Sequence, residues 1–125
     1  MFRILIIEDD NTIRENTAEL LELEGYTTLS ASNGKKGLEV IDLHPPDLIL
    51  CDLLMPEMDG FAVLGYLGKH PDLKKIPFIF FTAKSEKSEV KIGMDAGADG
   101  YLTKPFDLPD LLNAIDKCLP KKNLF

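Results

Sequence analysis

Cysteine and long hydrophobic segments are scarce in this sequence. Its two cysteines, Cys51 and Cys118, are far apart, form no CxxC pair and have no neighbouring histidine, so neither a disulfide framework nor a zinc site is expected. No apolar segment approaches the roughly 20 residues that a membrane span requires, and the short apolar stretch at the start has an acid-rich flank that is unlike a signal peptide. We therefore expect a cytoplasmic chain with no membrane partner.

Positive charge is scarce too. The chain has 14 Lys+Arg against 21 Asp+Glu, a formal net charge of −7, and no basic stripe. Nucleic-acid binding depends on clustered basic side chains that neutralise phosphates, so we expect no nucleic acid to bind through this chain. What the sequence does contain is 125 residues with 45% hydrophobic composition, which suits one folded domain over residues 1–125.

Five short segments predict β-strands. They are rich in β-branched and apolar residues, and they comprise Phe2–Ile7, Tyr26–Ala31 (the weakest), Asp47–Cys51, Pro77–Thr82 and Ala98–Leu102. Each is followed by a segment with helical spacing; the first helix, Asn11–Glu24, is closed by Gly25, and Asp107 is expected to cap the last. Strand then helix, five times over, is typical of a doubly wound α/β fold. We expect a five-stranded parallel sheet in the flavodoxin-like order 2-1-3-4-5, with five helices.

Polar side chains stand at the ends of four predicted strands. They are Glu8, Asp9 and Asp10 after the first, Asp52 after the third, Thr82 at the end of the fourth and Lys104 after the fifth. In an open doubly wound sheet, ligands bind beyond the carboxyl ends of the strands, where the strand order reverses. Carboxylates about 4 Å apart repel by roughly 4 kcal/mol per pair at an effective dielectric constant of 20, so such a cluster needs a cation. A few oxygen donors without histidine favour Mg²⁺, with water and phosphate completing its shell, over Ca²⁺.

Phosphoryl transfer is the chemistry that this cluster suits. With a metal held by two acids, Asp52 is left as a nucleophile that could form an acyl phosphate. The metal and Lys104 would neutralise charge on the phosphoryl oxygens, and the Thr82 hydroxyl would donate a hydrogen bond. Asp10 has a second interpretation, as the N-cap of the first helix, and Cys51 is interpreted as a core residue of its strand.

Four stretches of the sequence carry a resemblance to a known family. The chain resembles the CheY-like receiver domain of bacterial two-component response regulators through ILIIEDD, DLILCDLLMPEMDG, FIFFTAK and AGADGYLTKPF, in order and spacing and over essentially its whole length. The resemblance implies a role for each site residue: Glu8, Asp9, Asp52 and the Leu54 backbone carbonyl as Mg²⁺ ligands, Asp52 as phosphoacceptor, Lys104 as the family's lysine, and Thr82 and Tyr101 as switch residues.

The resemblance also implies a reaction and its partners. Asp52 would take a phosphoryl group from a phosphohistidine on a histidine kinase or a histidine phosphotransfer protein, with Mg²⁺ required. The added charge would alter the surface made by the fourth helix, fifth strand and fifth helix. The chain would not be an enzyme acting on other molecules, since its phosphorylation and dephosphorylation are self-directed. An unidentified output domain or protein, and a homodimer on activation, complete the partners that the resemblance allows; the chain could be a complete regulator or the receiver of a longer one.

Four further positions carry finer expectations. Leu54 and Lys84, two residues after Asp52 and Thr82, occupy places that influence the lifetime of the phosphate in the family. Pro105 fits the family's cis peptide bond. Gly37 stands where the family often has alanine and is expected to weaken the second helix by up to ~1 kcal/mol.

Three other functions stay open at this point. Flavin binding on the same fold would place a flavin phosphate beside three consecutive acidic residues, which would repel it. An aspartyl-phosphate phosphatase of the haloacid dehalogenase type has a second acid two residues after its nucleophile, where this chain has Leu54. A receiver-like interaction module that is never phosphorylated is disfavoured by the presence of Asp52, Thr82 and Lys104 together.

Overall fold

Strands and helices alternate along the chain in the computed structural model, which describes residues 2–83 and 87–119. The strands are β1 (Arg3–Ile7), β2 (Thr27–Ala31), β3 (Leu48–Asp52), β4 (Phe78–Thr82) and β5 (Gly100–Thr103). The helices are α1 (Asn11–Leu23), α2 (Gly34–Leu43), α3 (Gly60–Gly68), α4 (Lys87–Asp95) and α5 (Leu108–Cys118). The strands pair in parallel in one sheet, in the order β2-β1-β3-β4-β5. The predicted doubly wound α/β fold is confirmed.

The ends of the elements differ from the predictions by one or two residues. Every strand begins later than predicted, because the residues before it make only single hydrogen bonds with the neighbouring strand and not the repeated pairing of a sheet. The Asp47 N–H, for example, donates to the Arg3 carbonyl at 2.7 Å. Helix α1 ends at Leu23, one residue early, since Glu24 is its C-cap. Gly25 follows with φ of 95°, the left-handed conformation expected of a residue that closes a helix. The sequence also predicts that Pro120 ends the last helix, and this position lies outside the described residues.

Two apolar layers form the core, one on each face of the sheet. Strands β3 and β4 are buried at every residue, as the interior strands of a parallel sheet covered on both sides should be. One layer joins Leu5 and Ile7 of β1 to residues of α2 and α3, and the other joins Ile4 and Ile6 to residues of α1 and α5. Cys51 is fully buried in the first layer, which confirms its interpretation as a core residue. Within the described ranges, no helix is long and apolar enough to cross a membrane.

Side-chain carboxylates and one amide cap the helices. Asp10 accepts a hydrogen bond from the Ile13 N–H at 2.9 Å, and Asp107 accepts one from the Asp110 N–H at 2.9 Å, so both predicted N-caps are confirmed. Asn33 and Asp59 cap α2 and α3 in the same way. An N-cap side chain satisfies a backbone N–H that the helix itself leaves unpaired. The Asp10 carboxylate therefore caps α1, which leaves Glu8 and Asp9 as the acidic residues of the candidate site after β1.

Gly37 makes a close packing contact that the prediction of a weaker α2 did not include. A Cβ atom at this position would lie 2.5 Å from Cδ1 and 2.9 Å from Cγ1 of Ile7, a side chain that is fully buried on β1. The glycine therefore lets α2 approach the sheet closely, and its low helix propensity is accompanied by a packing contact that alanine could not make without displacing Ile7.

Gly60 sits against the backbone that follows β3, and its replacement should be costly. A Cβ atom there would lie 2.7 Å from the Asp52 carbonyl oxygen and 3.0 Å from the Leu53 Cα, neither of which can rotate away. We expect Gly60→Ala to lower the free energy of unfolding by about 2–3 kcal/mol, measured by urea denaturation.

A matched control lies in the same helix. A Cβ atom at Gly65 would have nothing within 4 Å, so Gly65→Ala should be neutral or stabilise the domain by up to about 1 kcal/mol through helix propensity alone. Equal effects of the two substitutions would contradict the close approach at Gly60.

Candidate functional site

The acidic residues meet at the carboxyl edge of the sheet, between β1 and β3. These strands pair in parallel with Ile7 opposite Cys51. Glu8, which follows β1, and Asp52, the last residue of β3, therefore lie side by side. The chain passes from β1 to β2 on one side and later returns to β3 on the other, which makes this edge the point where the strand order reverses. Such a point is where open α/β sheets bind their ligands.

Three carboxylates form the centre of the site. One oxygen from each of Glu8, Asp9 and Asp52 lies within 4.8 Å of the others. Glu8 and Asp52 are buried, with 1% and 6% of their surface exposed, whereas Asp9 is exposed. Backbone N–H groups hold the two buried carboxylates: Asp10 donates to Glu8 Oε2 and Leu54 donates to Asp52 Oδ1, each at 3.1 Å.

Lys104 supplies the positive charge of the site. Its ammonium group contacts Glu8 Oε1 and lies 3.5 Å from Asp52 Oδ2, and its side chain is only 16% exposed. The Lys104 N–H donates to the Thr82 carbonyl at 2.8 Å, which fixes its backbone at the ends of β4 and β5. The peptide bond to Pro105 is cis, as predicted. A buried carboxylate pair is tolerated when a cation and hydrogen bonds compensate it, and both are present here.

This environment raises the pKa values of both Asp9 and Cys51. Loss of surrounding water, a hydrogen bond with the Glu8 side chain and the negative charge of Glu8 raise the pKa of Asp9 above its usual value. Complete burial, followed by the charges of Asp52 and Glu8, raises the pKa of the Cys51 thiol well above its usual value. The Cys51 sulfur is thereby kept as a neutral, unreactive thiol next to the candidate nucleophile.

The family comparison decides what kind of site this is. The family model described as the response regulator receiver domain matches residues 4–116. The chain belongs to this receiver family. The predicted resemblance is confirmed, and the matched span contains both ends of the site, from Glu8 to Lys104.

Similar proteins of known name agree with this membership. The receiver domain is 38% identical to the response regulator MprA of Mycobacterium ulcerans over 98% of this chain and 52% of that protein. It is 41% identical to the DNA-binding dual master transcriptional regulator RpaA of Synechocystis over 90% of this chain and 46% of that protein. The chain thus spans about half the length of these curated relatives.

Solved structures show the same fold. The chemotaxis protein CheY4 of Vibrio cholerae superimposes with a TM-score of 0.89 at 28% identity, covering 95% of this chain and 99% of that one. The signal receiver domain of a signal transduction histidine kinase from Syntrophus aciditrophicus gives a TM-score of 0.81 at 39% identity, covering 94% of this chain and 87% of that one. Receiver domains similar to this one therefore occur in more than one kind of signalling protein.

The carboxylate cluster of this receiver domain fits a small hard cation. With Mg–O bonds of about 2.1 Å, two ligand oxygens on opposite sides of Mg²⁺ lie roughly 4.2 Å apart. The 4.8 Å span of the three carboxylates is slightly larger, and the Asp9 side chain that completes the cluster is exposed to solvent. Oxygen donors alone, in this small number, match the preference of Mg²⁺.

The remaining predicted site residues lie at the end of β4, just after β3 and on β5. Thr82 is fully buried at the end of β4, one residue beyond the position opposite Asp52 in the sheet. Leu54 follows Asp52 by two residues and is 52% exposed. Tyr101 on β5 is half-buried, and burial, with the charge of Glu89, raises the pKa of its hydroxyl. Lys84 lies outside the described residues.

Tyr101 packs against α4 as well as against the sheet. Its ring centroid lies 6.2 Å from that of Phe80, in an edge-to-face arrangement. A Cβ atom at Gly93 would come within 2.9 Å of the ring, so the glycine on α4 leaves the room that the ring occupies. The sequence pattern did not single out Gly93 as a contact of Tyr101, and the signal for it was only a glycine in the middle of a predicted helix.

Phe81 is an aromatic neighbour of the site that the sequence analysis missed. The Lys104 ammonium lies over its ring, 4.8 Å from the centroid. A signal was available, since Phe81 precedes Thr82 on the strand beside β5, from which Lys104 emerges.

Proposed function

We propose that this receiver domain accepts a phosphoryl group on Asp52 from a phosphohistidine of a histidine kinase or a histidine phosphotransfer protein, with Mg²⁺ as cofactor. The observation that carries the proposal is the contact of one lysine ammonium with two buried carboxylates inside a three-carboxylate cluster. Membership of the receiver family, whose members take part in two-component signalling, supports the same reaction. The domain would act on itself rather than on other substrates, in the cytoplasm.

The reaction forms one bond and breaks another. An oxygen of Asp52 attacks the phosphorus, and a P–O bond forms as the P–N bond to imidazole breaks. The electron pair of the P–N bond returns to the ring, which leaves as neutral imidazole because the second ring nitrogen of the phosphohistidine already carries a proton. The product is an acyl phosphate on Asp52. The Leu54 N–H holds Asp52 Oδ1, so Oδ2, which faces Lys104, is the oxygen better placed to attack.

The residues around Asp52 would stabilise the charge that develops on the phosphoryl group. Lys104 is already close to Asp52 Oδ2, and its ammonium would neutralise charge on the phosphoryl oxygens as it develops. Mg²⁺, held by oxygens of Glu8, Asp9, Asp52 and the Leu54 carbonyl, would supply further neutralisation when bound. The Thr82 hydroxyl would donate a hydrogen bond to the phosphoryl group.

The output of the switch would be a changed surface of α4, β5 and α5. Phosphorylation adds charge and acceptor oxygens at Asp52, which would draw Thr82 towards the phosphate. Tyr101 would then move into the space that Thr82 leaves and alter its packing on α4, where the lack of a Cβ atom at Gly93 leaves room for its ring. A second copy of the chain would be a partner reached through that surface. DNA binding of the kind named for the relative RpaA would be reached only through a further domain.

Incubation with a small phosphodonor, acetyl phosphate, tests the proposal directly. We expect intact-mass spectrometry to show one added phosphoryl group in the presence of Mg²⁺ and none in EDTA. The adduct should survive acid and be lost in base, as an acyl phosphate does. Absence of any adduct with Mg²⁺ present would leave the non-phosphorylated interaction module as the better interpretation.

A further inference from the structure

The aromatic ring beside Lys104 has no place in the reaction described above. The Lys104 ammonium lies 4.8 Å from the centroid of the Phe81 ring, within the ~6 Å at which the negative face of an aromatic ring attracts a cation. The ammonium thus contacts or faces the Glu8 carboxylate, the Asp52 carboxylate and the Phe81 ring.

The Phe81 ring is held in place by its own surroundings. It is fully buried on β4, in the apolar layer between the sheet and the helices α1 and α5. The ring of Phe106 packs against it at 61° with a centroid distance of 6.1 Å, an edge-to-face arrangement. Because the ring is held in one position, it can also hold the Lys104 ammonium that contacts its face.

We propose, on the basis of the phosphoryl transfer inferred above, that Phe81 is a positioning residue that holds the Lys104 ammonium for its contact with the phosphoryl group. A carboxylate attracts the ammonium too, but it neutralises the charge that the phosphoryl oxygens need. An aromatic ring attracts the ammonium and carries no net charge, so the full positive charge stays available. When Lys104 shifts from the carboxylates to the phosphoryl oxygens, the ring remains as its fixed contact.

Graded fluorination of the Phe81 ring tests this electrostatic role without changing the packing. Mono-, di- and trifluorophenylalanine, introduced only at position 81, progressively weaken the negative face of the ring while nearly preserving its shape. We expect the rate of phosphorylation by acetyl phosphate with saturating Mg²⁺ to fall stepwise, by roughly fivefold for the trifluorinated ring. Competitive labelling of lysine amines, read by mass spectrometry, should show Lys104 becoming stepwise more reactive over the same series.

Leucine substitutions provide the matched control for stability. Phe81→Leu should slow phosphorylation to at least the same extent, whereas Phe78→Leu should keep the wild-type rate. Phe78 is on the same strand and 1% exposed, so its replacement by leucine removes a similar buried volume. It belongs to the other apolar layer, and that volume is therefore lost away from Lys104.

The outcomes separate this inference from the proposed function. A flat rate and flat labelling across the fluorinated series would overturn the role of Phe81, even if the domain is phosphorylated normally. If the wild-type protein accepts no phosphoryl group, the proposed function fails. In that case stepwise labelling would still uphold the Phe81–Lys104 contact, and flat labelling would overturn it.

Discussion

Asp52→Asn is expected to lower the rate of phosphorylation by acetyl phosphate by about 10³-fold or more, to the limit of detection by mass spectrometry. An amide has almost the same shape as the carboxylate but no nucleophilic oxygen anion. The fold should tolerate the change, since the amide oxygen can still accept the hydrogen bond that the Leu54 N–H now donates to Asp52 Oδ1. Urea denaturation of the variant should therefore show a cooperative transition like that of the wild type.

Asp10→Asn is the matched control for this experiment. Asp10 follows the same strand edge, but its carboxylate caps α1 through the Ile13 N–H. Asparagine caps helices as well as aspartate does, so we expect unchanged stability and a phosphorylation rate within about twofold of the wild type. Phosphorylation of Asp52→Asn at the wild-type rate would show that another residue is the acceptor.

The fold could be predicted because local patterns and topology agree. Continuous apolar residues in β3 and β4 indicated strands covered on both faces, and both strands are buried throughout. Asp10 and Asp107 were recognisable as N-caps from their places before helical spacing. Helix and strand ends were less predictable, because they depend on the last hydrogen bond with a neighbouring element rather than on the residue type.

The acidic cluster could also be predicted, since it depends only on strand ends. The carboxyl ends of parallel neighbours meet at one edge, and that placed Glu8, Asp9 and Asp52 together before any contact was known. The roles of Leu54 and Tyr101 came from the family resemblance instead, and the structure gives their positions.

Close contacts between residues of different elements could not be predicted from the sequence. Gly37 was interpreted from helix propensity alone, yet its lack of a Cβ atom is used to contact Ile7 of β1. Phe81 was interpreted as a strand residue, yet its ring lies under Lys104, which follows the next strand. Contacts of this kind depend on the distance between elements and on side-chain rotamers, which spacing along one chain does not encode.

Lys104→Met should destabilise the domain strongly in the absence of divalent cations. The substitution keeps the aliphatic length of the side chain and removes the ammonium that contacts Glu8 and faces Asp52. Both carboxylates are more than nine-tenths buried, and leaving such charges without their partner typically costs 3–5 kcal/mol. Because the lysine side chain retains 16% exposure, some water reaches the site, and we expect a loss of about 3 kcal/mol in the free energy of unfolding, measured by urea denaturation in EDTA.

Lys91→Met removes the same charge from a different setting. Lys91 pairs with Asp95 at 3.0 Å one turn along α4, but the two side chains are 76% and 64% exposed. Water screens such a pair, so its loss should change stability by less than about 0.5 kcal/mol. If both lysine variants were equally stable, Lys104 could not be the group that compensates the buried carboxylates.

Magnesium should then distinguish a charge effect from a packing effect at Lys104. A cation that binds the three carboxylates stabilises the folded state. The gain increases with the cation concentration and is about 2.7 kcal/mol when that concentration is 100 times the dissociation constant. In Lys104→Met the carboxylates have lost a competing ammonium, so they should bind Mg²⁺ more tightly than in the wild type. We therefore expect millimolar Mg²⁺ to raise the stability of the variant more than that of the wild type, while the variant still accepts phosphoryl groups slowly. Equal gains in both proteins would mean that the charge of Lys104 does not act on the metal site.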